Sequence, residues 1–230
     1  MLKRILSFFS LCLLLILNSS CFDILEEINL NKDGSGTMVF TINMSKSKTK
    51  LASMMLLDSI NGYKIPSEDD IALALNDVVA HLKKAKGISN IEQRKDLENY
   101  IFSVSCDFDA IGSLNGLTSK LIQDQNKREN TNFETSNFAY SPSEMVFERK
   151  FTYDSSIKKS FDHLKKEDKK VFQDASFTAI YRFEDLVGNS SNTAAKIAPS
   201  KKAVMLRVDA MSFIFGQKTI QNKIKLINSK

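Results

Sequence analysis

The side chains of this 230-residue sequence whose types and spacing suggest chemistry are thiols, an oxygen-rich loop, two imidazoles and a few Ser–Lys pairs. Cysteine occurs at positions 12, 21 and 106. Cys106 lies in Ile101-Phe-Ser-Val-Ser-Cys-Asp-Phe108, where alternation puts Phe102, Val104 and Cys106 on one strand face, so it reads as a buried structural thiol rather than a nucleophile. The segment Asn29-Leu-Asn31-Lys-Asp33-Gly34-Ser35 places oxygens at positions 1, 3 and 5 of a calcium loop and Gly at position 6. Position 12 of such a loop must be a bidentate Glu, and here it is Phe40. Its flanks alternate like strands, so the segment is expected to be a turn.

His81 and His163 lack a Cys or His neighbour at helical spacing, and a zinc site normally needs three or four protein ligands. Both read as solvated surface residues, and no metal site is expected. Ser155-Ser156-Ile157-Lys158 matches S-x-x-K, as do Ser45 to Lys48 and Ser47 to Lys50, but the companion S-D-N and K-T-G elements are missing. G-x-S-x-G is also absent. The sequence therefore points to no catalytic residue, no cofactor and no enzymatic activity. Gly112-Ser-Leu-Asn-Gly116 satisfies G-x-x-x-G, which in a water-soluble helix signals close packing at most.

Cys21 is different because of what precedes it. Lys3 and Arg4 form a positive n-region, Ile5 to Leu17 an apolar run, and Asn18-Ser19-Ser20 lead into the cysteine. A membrane span needs about 20 apolar residues, and this run is too short. The segment resembles a bacterial lipoprotein signal, although Asn18 stands where Leu is expected and Ser20 where Gly or Ala is common. That resemblance implies cleavage after residue 20, leaving Cys21 as a lipidated N-terminus with a diacylglyceryl thioether and often a further acyl chain. One acyl chain binds a membrane marginally, with an association constant of about 10⁴ per molar, and a second makes anchoring stable. With Cys21 acylated and Cys12 removed, no intrachain disulfide remains possible.

Losing Lys3 and Arg4 lowers the formal charge from +5 to +3. With that modest excess and an export signal, nucleic acid is not expected as a partner. The chain has no Trp, so the aromatic platforms common in carbohydrate sites are missing. Residues 21–230 suit one domain with a real hydrophobic core.

The elements that must position these groups follow from periodicity. Ile24 to Asn31 and Thr37 to Met44 form a hairpin around Asp33-Gly34-Ser35-Gly36. Lys46 to Ile60 is expected as a helix whose wide apolar face includes Met54 and Met55, suited to core packing or to a lipid or partner surface. Ser67 caps a second helix with an acidic first turn and a stop at Gly87. A hairpin follows over 88–94 and 100–108, then a third helix over 109–127 and a polar loop over 128–137. Strands are expected at 138–140 and 145–153, a helix over 155–169, strands at 176–184 and 204–208, an irregular edge over 188–203, and a final strand at 220–227. Lys158, Lys159, Lys165, Lys166, Lys169 and Lys170 fall within the thirteen positions 158–170, where they form a solvated face or a contact with anionic headgroups.

The fold class is therefore α+β: an antiparallel-rich sheet with helices packed on one face, opening on an N-terminal β-hairpin. In Cys21 to Met44 and in overall layout the chain resembles the LppM-type bacterial lipoproteins. The abundance of Lys and Asn suits a Bacteroidetes-like source. What the resemblance implies is localisation: a lipid-anchored protein of the bacterial cell envelope, facing the periplasm or the surface. The role expected is a non-enzymatic interaction or assembly module with an envelope protein partner. The alternative is a binder of lipid or another apolar ligand, with Met54 and Met55 in the cavity wall.

Overall fold

The computed structural model describes residues 22–60, 63–117 and 137–228. The expected signal segment, Cys21, the second half of the expected third helix and nearly all of the expected 128–137 loop lie outside the described residues.

The chain opens with strands β1 (Asp23–Leu30) and β2 (Gly36–Asn43), then helix α1 (Lys48–Met54). A small strand pair, β3 (Ser59–Ile60) and β4 (Tyr63–Lys64), leads to α2 (Glu68–Leu82). Next come β5 (Ile88–Asp96), β6 (Ile101–Phe108), β7 (Phe138–Ser141) and β8 (Val146–Arg149). Helices α3 (Ser156–His163) and α4 (Lys166–Lys169) precede β9 (Ser176–Phe183). The remainder is β10 (Leu186–Ser190), β11 (Lys196–Ile197), β12 (Ala203–Asp209), α5 (Ala210–Ile214) and β13 (Asn222–Ile227).

Two larger sheets result, one of seven strands ordered β11-β12-β9-β1-β2-β6-β5 and one of four ordered β10-β13-β8-β7. Among the described residues all pairings are antiparallel except β1 with β9, which run parallel from Asp23↔Ser176 to Leu30↔Phe183. The α+β class, the antiparallel-rich sheet and the opening hairpin are as the sequence indicates. The principal core lies between the two sheets. Alternation in β1, β9 and β12 sends Ile28, Tyr181, Phe183 and Leu206 inward, where they meet Phe147 of β8 and Ile224 of β13. The Phe147 ring stands 4.9 Å from Tyr181 and 5.6 Å from Phe183, so aromatic contacts cross between the sheets. Each such fully buried side chain contributes about 1.5–3 kcal/mol.

The hairpin turn has a local cause. Asp33 accepts from the Ser35 N–H and hydroxyl, while Gly34 takes φ +90°, a left-handed conformation that favours glycine. Beyond it, a Cβ on Gly36 would stand 2.0 Å from the Asn29 carbonyl oxygen, so only glycine lets the strands close there. Helix α2 starts as its sequence predicts: Ser67 accepts from the Asp70 N–H and the Asp70 carboxylate accepts from the Ser67 N–H.

Three expected helices differ over their described residues. Residues 46–60 give a 3₁₀ turn at Ser45–Ser47 and α1, then extend into β3. Residues 155–169 split into α3 and α4 because Leu164 is extended. The beginning of the third is only a 3₁₀ turn, Ile111–Leu114, since both named residues turn into the core.

Candidate functional site

One end of the seven-stranded sheet brings together the segment that leads into Met54 and Met55 and the segment that carries the lysines. β1 starts at Asp23, two positions after Cys21, and Asp23 pairs with the last residue of β2, Asn43, and the first of β9, Ser176. Ser176 in turn pairs with Asp209, the last residue of β12. The segments leaving or entering these strand ends therefore share one end of the sheet. They are the turn into α1, the α3–α4 region, and α5.

Side chains hold that end together around Asp23. Its carboxylate accepts from Lys46 Nζ at 2.8 Å, Ser176 Oγ at 2.5 Å and Arg207 Nη2 at 3.4 Å. Burial opposes its ionisation, but the hydrogen bonds from Lys46 and Ser176 and the charges of Lys46 and Arg207 hold its pKa below the usual carboxylate value. Alongside runs an aromatic chain: Phe22 meets Phe172 at 5.8 Å, Phe172 meets Phe161 at 5.7 Å, and Phe161 meets Phe215 at 5.8 Å, all edge-on. Lys169 lies over the Phe161 ring and Lys158 over the Phe215 ring, each at 5.5 Å. Phe22, next to the proposed lipid site, is thus packed against the lysine-rich segment.

Met54 ends α1 and Met55 caps it, both half-buried. The apolar run around them stays out of the core, since α1 buries no residue fully and Leu56 and Leu57 are 86% and 53% exposed.

The other candidates are scattered. Asn29 and Asn31 spend their side chains inside the hairpin, on Thr37 Oγ1 and Ser35 Oγ, so the loop is a hydrogen-bonded turn. His81 is in the last turn of α2, and His163 donates from Nδ1 to the Lys159 carbonyl at 2.6 Å. Lys158 pairs with Asp162. Among the described residues a Cβ on Gly112 would meet only Asn115, at 4.0 Å, and one on Gly116 nothing within 4 Å. Cys106 is buried on the inward face of β6, and burial, followed by the charge of Asp107, pushes its thiol up to about 11. Among the described residues no group of three or more His, Cys, Asp or Glu could hold a metal ion. No helix among them is long and apolar enough to cross a membrane.

A buried polar junction between the sheets escaped the sequence reading. Glu26 and Arg149 are 4% and 8% exposed, and Arg149 donates through Nε and Nη2 to the two Glu26 oxygens at 3.0 Å. Tyr181 donates its hydroxyl to Glu26 Oε1 at 2.7 Å, and the guanidinium lies 4.6 Å over the Phe138 ring. Burial and then the Glu26 charge push the Tyr181 hydroxyl well above its ordinary value, so it stays protonated and donating. The signal was present: Glu26 is in phase with Ile28 and Leu30, and Arg149 in phase with Phe147 and Phe151. A charge in phase with core residues has to find a buried partner.

No protein-family model matches the chain, and no curated protein matches it. Among solved structures it is similar to the NMR structure of the folded domain of LppM from Mycobacterium tuberculosis, at 9% identity and a TM-score of 0.44, with 91% of each chain covered. Nothing in these comparisons bears on a Bacteroidetes-like source.

Proposed function

We propose that this protein is a lipid-anchored lipoprotein of the bacterial cell envelope, acting without catalysis as an interaction or assembly module at a membrane face. The observation that supports it best is one of spacing. A signal-like segment ends at Cys21, and strand β1 begins at Asp23, whose side chain is already fixed by Lys46 and Ser176. A diacylated cysteine there leaves one intervening residue, so the domain is held against the bilayer in few orientations. Expression of wild type and Cys21→Ala in a bacterial host with labelled fatty acid tests the reading. Wild type takes up label and the variant does not. Absence of label from wild type rejects the proposal.

A second reading, binding of a lipid or another apolar ligand, has its own support. Phe40 and Ile42 lie on the core-facing side of β2, opposite Glu26 and Ile24, yet each is 37% exposed. Native mass spectrometry of protein purified from its own cells separates the two. A stoichiometric lipid that Phe40→Ser reduces favours the apolar ligand, and a bound protein with no such lipid favours the interaction module.

A further inference from the structure

The six lysines of 158–170 are far in sequence from Cys21, but the parallel pairing of β1 with β9 brings their segment to the sheet end where the chain enters. The Phe22–Phe172 contact closes the distance to two rings in touch. The antiparallel pairing of β1 with β2 brings α1 to the same end, tied by Lys46 to Asp23 and by Lys48 to Glu98 and Asn99 in the β5–β6 turn. Two kinds of surface therefore flank the entry point. One is basic: Lys159, Lys166 and Lys170 are exposed, and Asp162, one of three acids that dilute the segment, is already engaged by Lys158. The other is apolar: Leu56 and Leu57 stand in solvent just beyond α1, whose own Lys48 and Lys50 are exposed.

Exposed leucines beside exposed lysines, around the point where an acyl anchor would emerge, match one partner chemistry. It is the interface of a bilayer containing anionic lipid, where leucine enters the acyl boundary and lysine meets headgroup phosphate. We propose that this end of the sheet is a bilayer-docking face, with Leu56 and Leu57 inserting and Lys159, Lys166 and Lys170 contacting anionic headgroups. The proposal rests on the lipoprotein reading and adds to it a second membrane signal and a fixed orientation. The opposite end, with the β1–β2 turn and Lys201 and Lys202, then points away from the membrane.

The absence of Trp from the chain makes the test direct, because one introduced Trp reports its own surroundings. Full-length Leu56→Trp, purified as the mature protein in detergent, is reconstituted into phosphatidylcholine vesicles with or without phosphatidylglycerol. Lys201→Trp is the control at the far end. Flotation with both vesicle types establishes anchoring. Docking is expected to shift the Leu56→Trp emission to the blue on anionic vesicles and to leave Lys201→Trp unchanged. It is also expected to slow acetylation of Lys159, Lys166 and Lys170 roughly fivefold against neutral vesicles, the factor one lysine's attraction to an anionic surface supplies, with the difference lost in high salt. Flotation with both vesicle types but no change in emission or acetylation overturns the docking face and leaves the anchor standing. Failure to float overturns the lipoprotein reading itself. If a co-purifying protein already protects those lysines in detergent, the face belongs to a protein partner and the membrane assignment is wrong.

Discussion

Arg149 of β8 reaches across the interior to Glu26 of β1, and its planar fork meets both carboxylate oxygens at 3.0 Å. The contact joins strands 123 positions apart and belonging to different sheets, so it helps fix the register in which the sheets face each other. Tyr181 satisfies Glu26 further, and the Lys150 carbonyl accepts Arg149 Nη1 at 3.0 Å, which leaves the pair well compensated for its loss of water.

Removing one partner strands the other charge in the interior. Arg149→Met and Glu26→Leu are each expected to lower unfolding stability by about 3–5 kcal/mol, while the double variant recovers much of the loss. Urea denaturation of the single and double variants measures this. Additive losses would show that the pair is not coupled.

Cys106 is expected to be inert in the folded protein. With its pKa at about 11, only about one molecule in 1,000 carries the thiolate at pH 8. Ellman's reagent should therefore react with it at pH 8 only after denaturant is added. Rapid stoichiometric reaction in native buffer would contradict the burial of β6.

Asp209 accepts from the Ser212 N–H and pairs with Lys218 at 2.9 Å, and these contacts, the backbone one foremost, lower its pKa to about 2 against the opposing effect of burial. A carboxylate lowered on folding stabilises the native state above its unfolded pKa of 3.8, and that stabilisation disappears as pH falls toward 2. Asp209→Ala should therefore flatten the decline of stability between about pH 4 and 2. Parallel curves for variant and wild type across that window would refute the assignment.

Gly36 and Gly112 should respond oppositely to alanine. At Gly36 the new methyl group would meet the Asn29 carbonyl and the Phe108 ring, so a loss of about 3 kcal/mol is expected. Gly112→Ala should stay within about 0.5 kcal/mol of wild type. Thermal denaturation compares them, and equal effects would mean that the β1–β2 closure is looser than its geometry implies.

The legible parts of this chain were those whose information is local. The β1–β2 hairpin has alternation on both sides of an Asp-Gly turn, and α2 has a complete capping box, so each could be placed from a dozen neighbouring residues. Ile111 and Leu114 misled because helical spacing also suits a single 3₁₀ turn that drops two side chains into a core. Leu164 was hidden because nothing in Phe-Asp-His-Leu-Lys-Lys demands an extended residue. The division into two sheets depends on pairings such as β1 with β9, which no local pattern encodes. The same holds for the candidate site, where Phe22 and the lysine-rich segment were both visible but their convergence through Phe172 was not.

The parallel β1–β9 pair also dictates an order of events. A chain made and delivered N-terminus first presents β1 early, yet its partner at residues 176–183 arrives some 150 residues later. Until then β2 can occupy one edge of β1 while the other edge stays open, a template for mispairing with any extended chain nearby. Maturation of this domain is thus paced by its C-terminal half, and truncation anywhere before β9 leaves the first strand with an unfilled side.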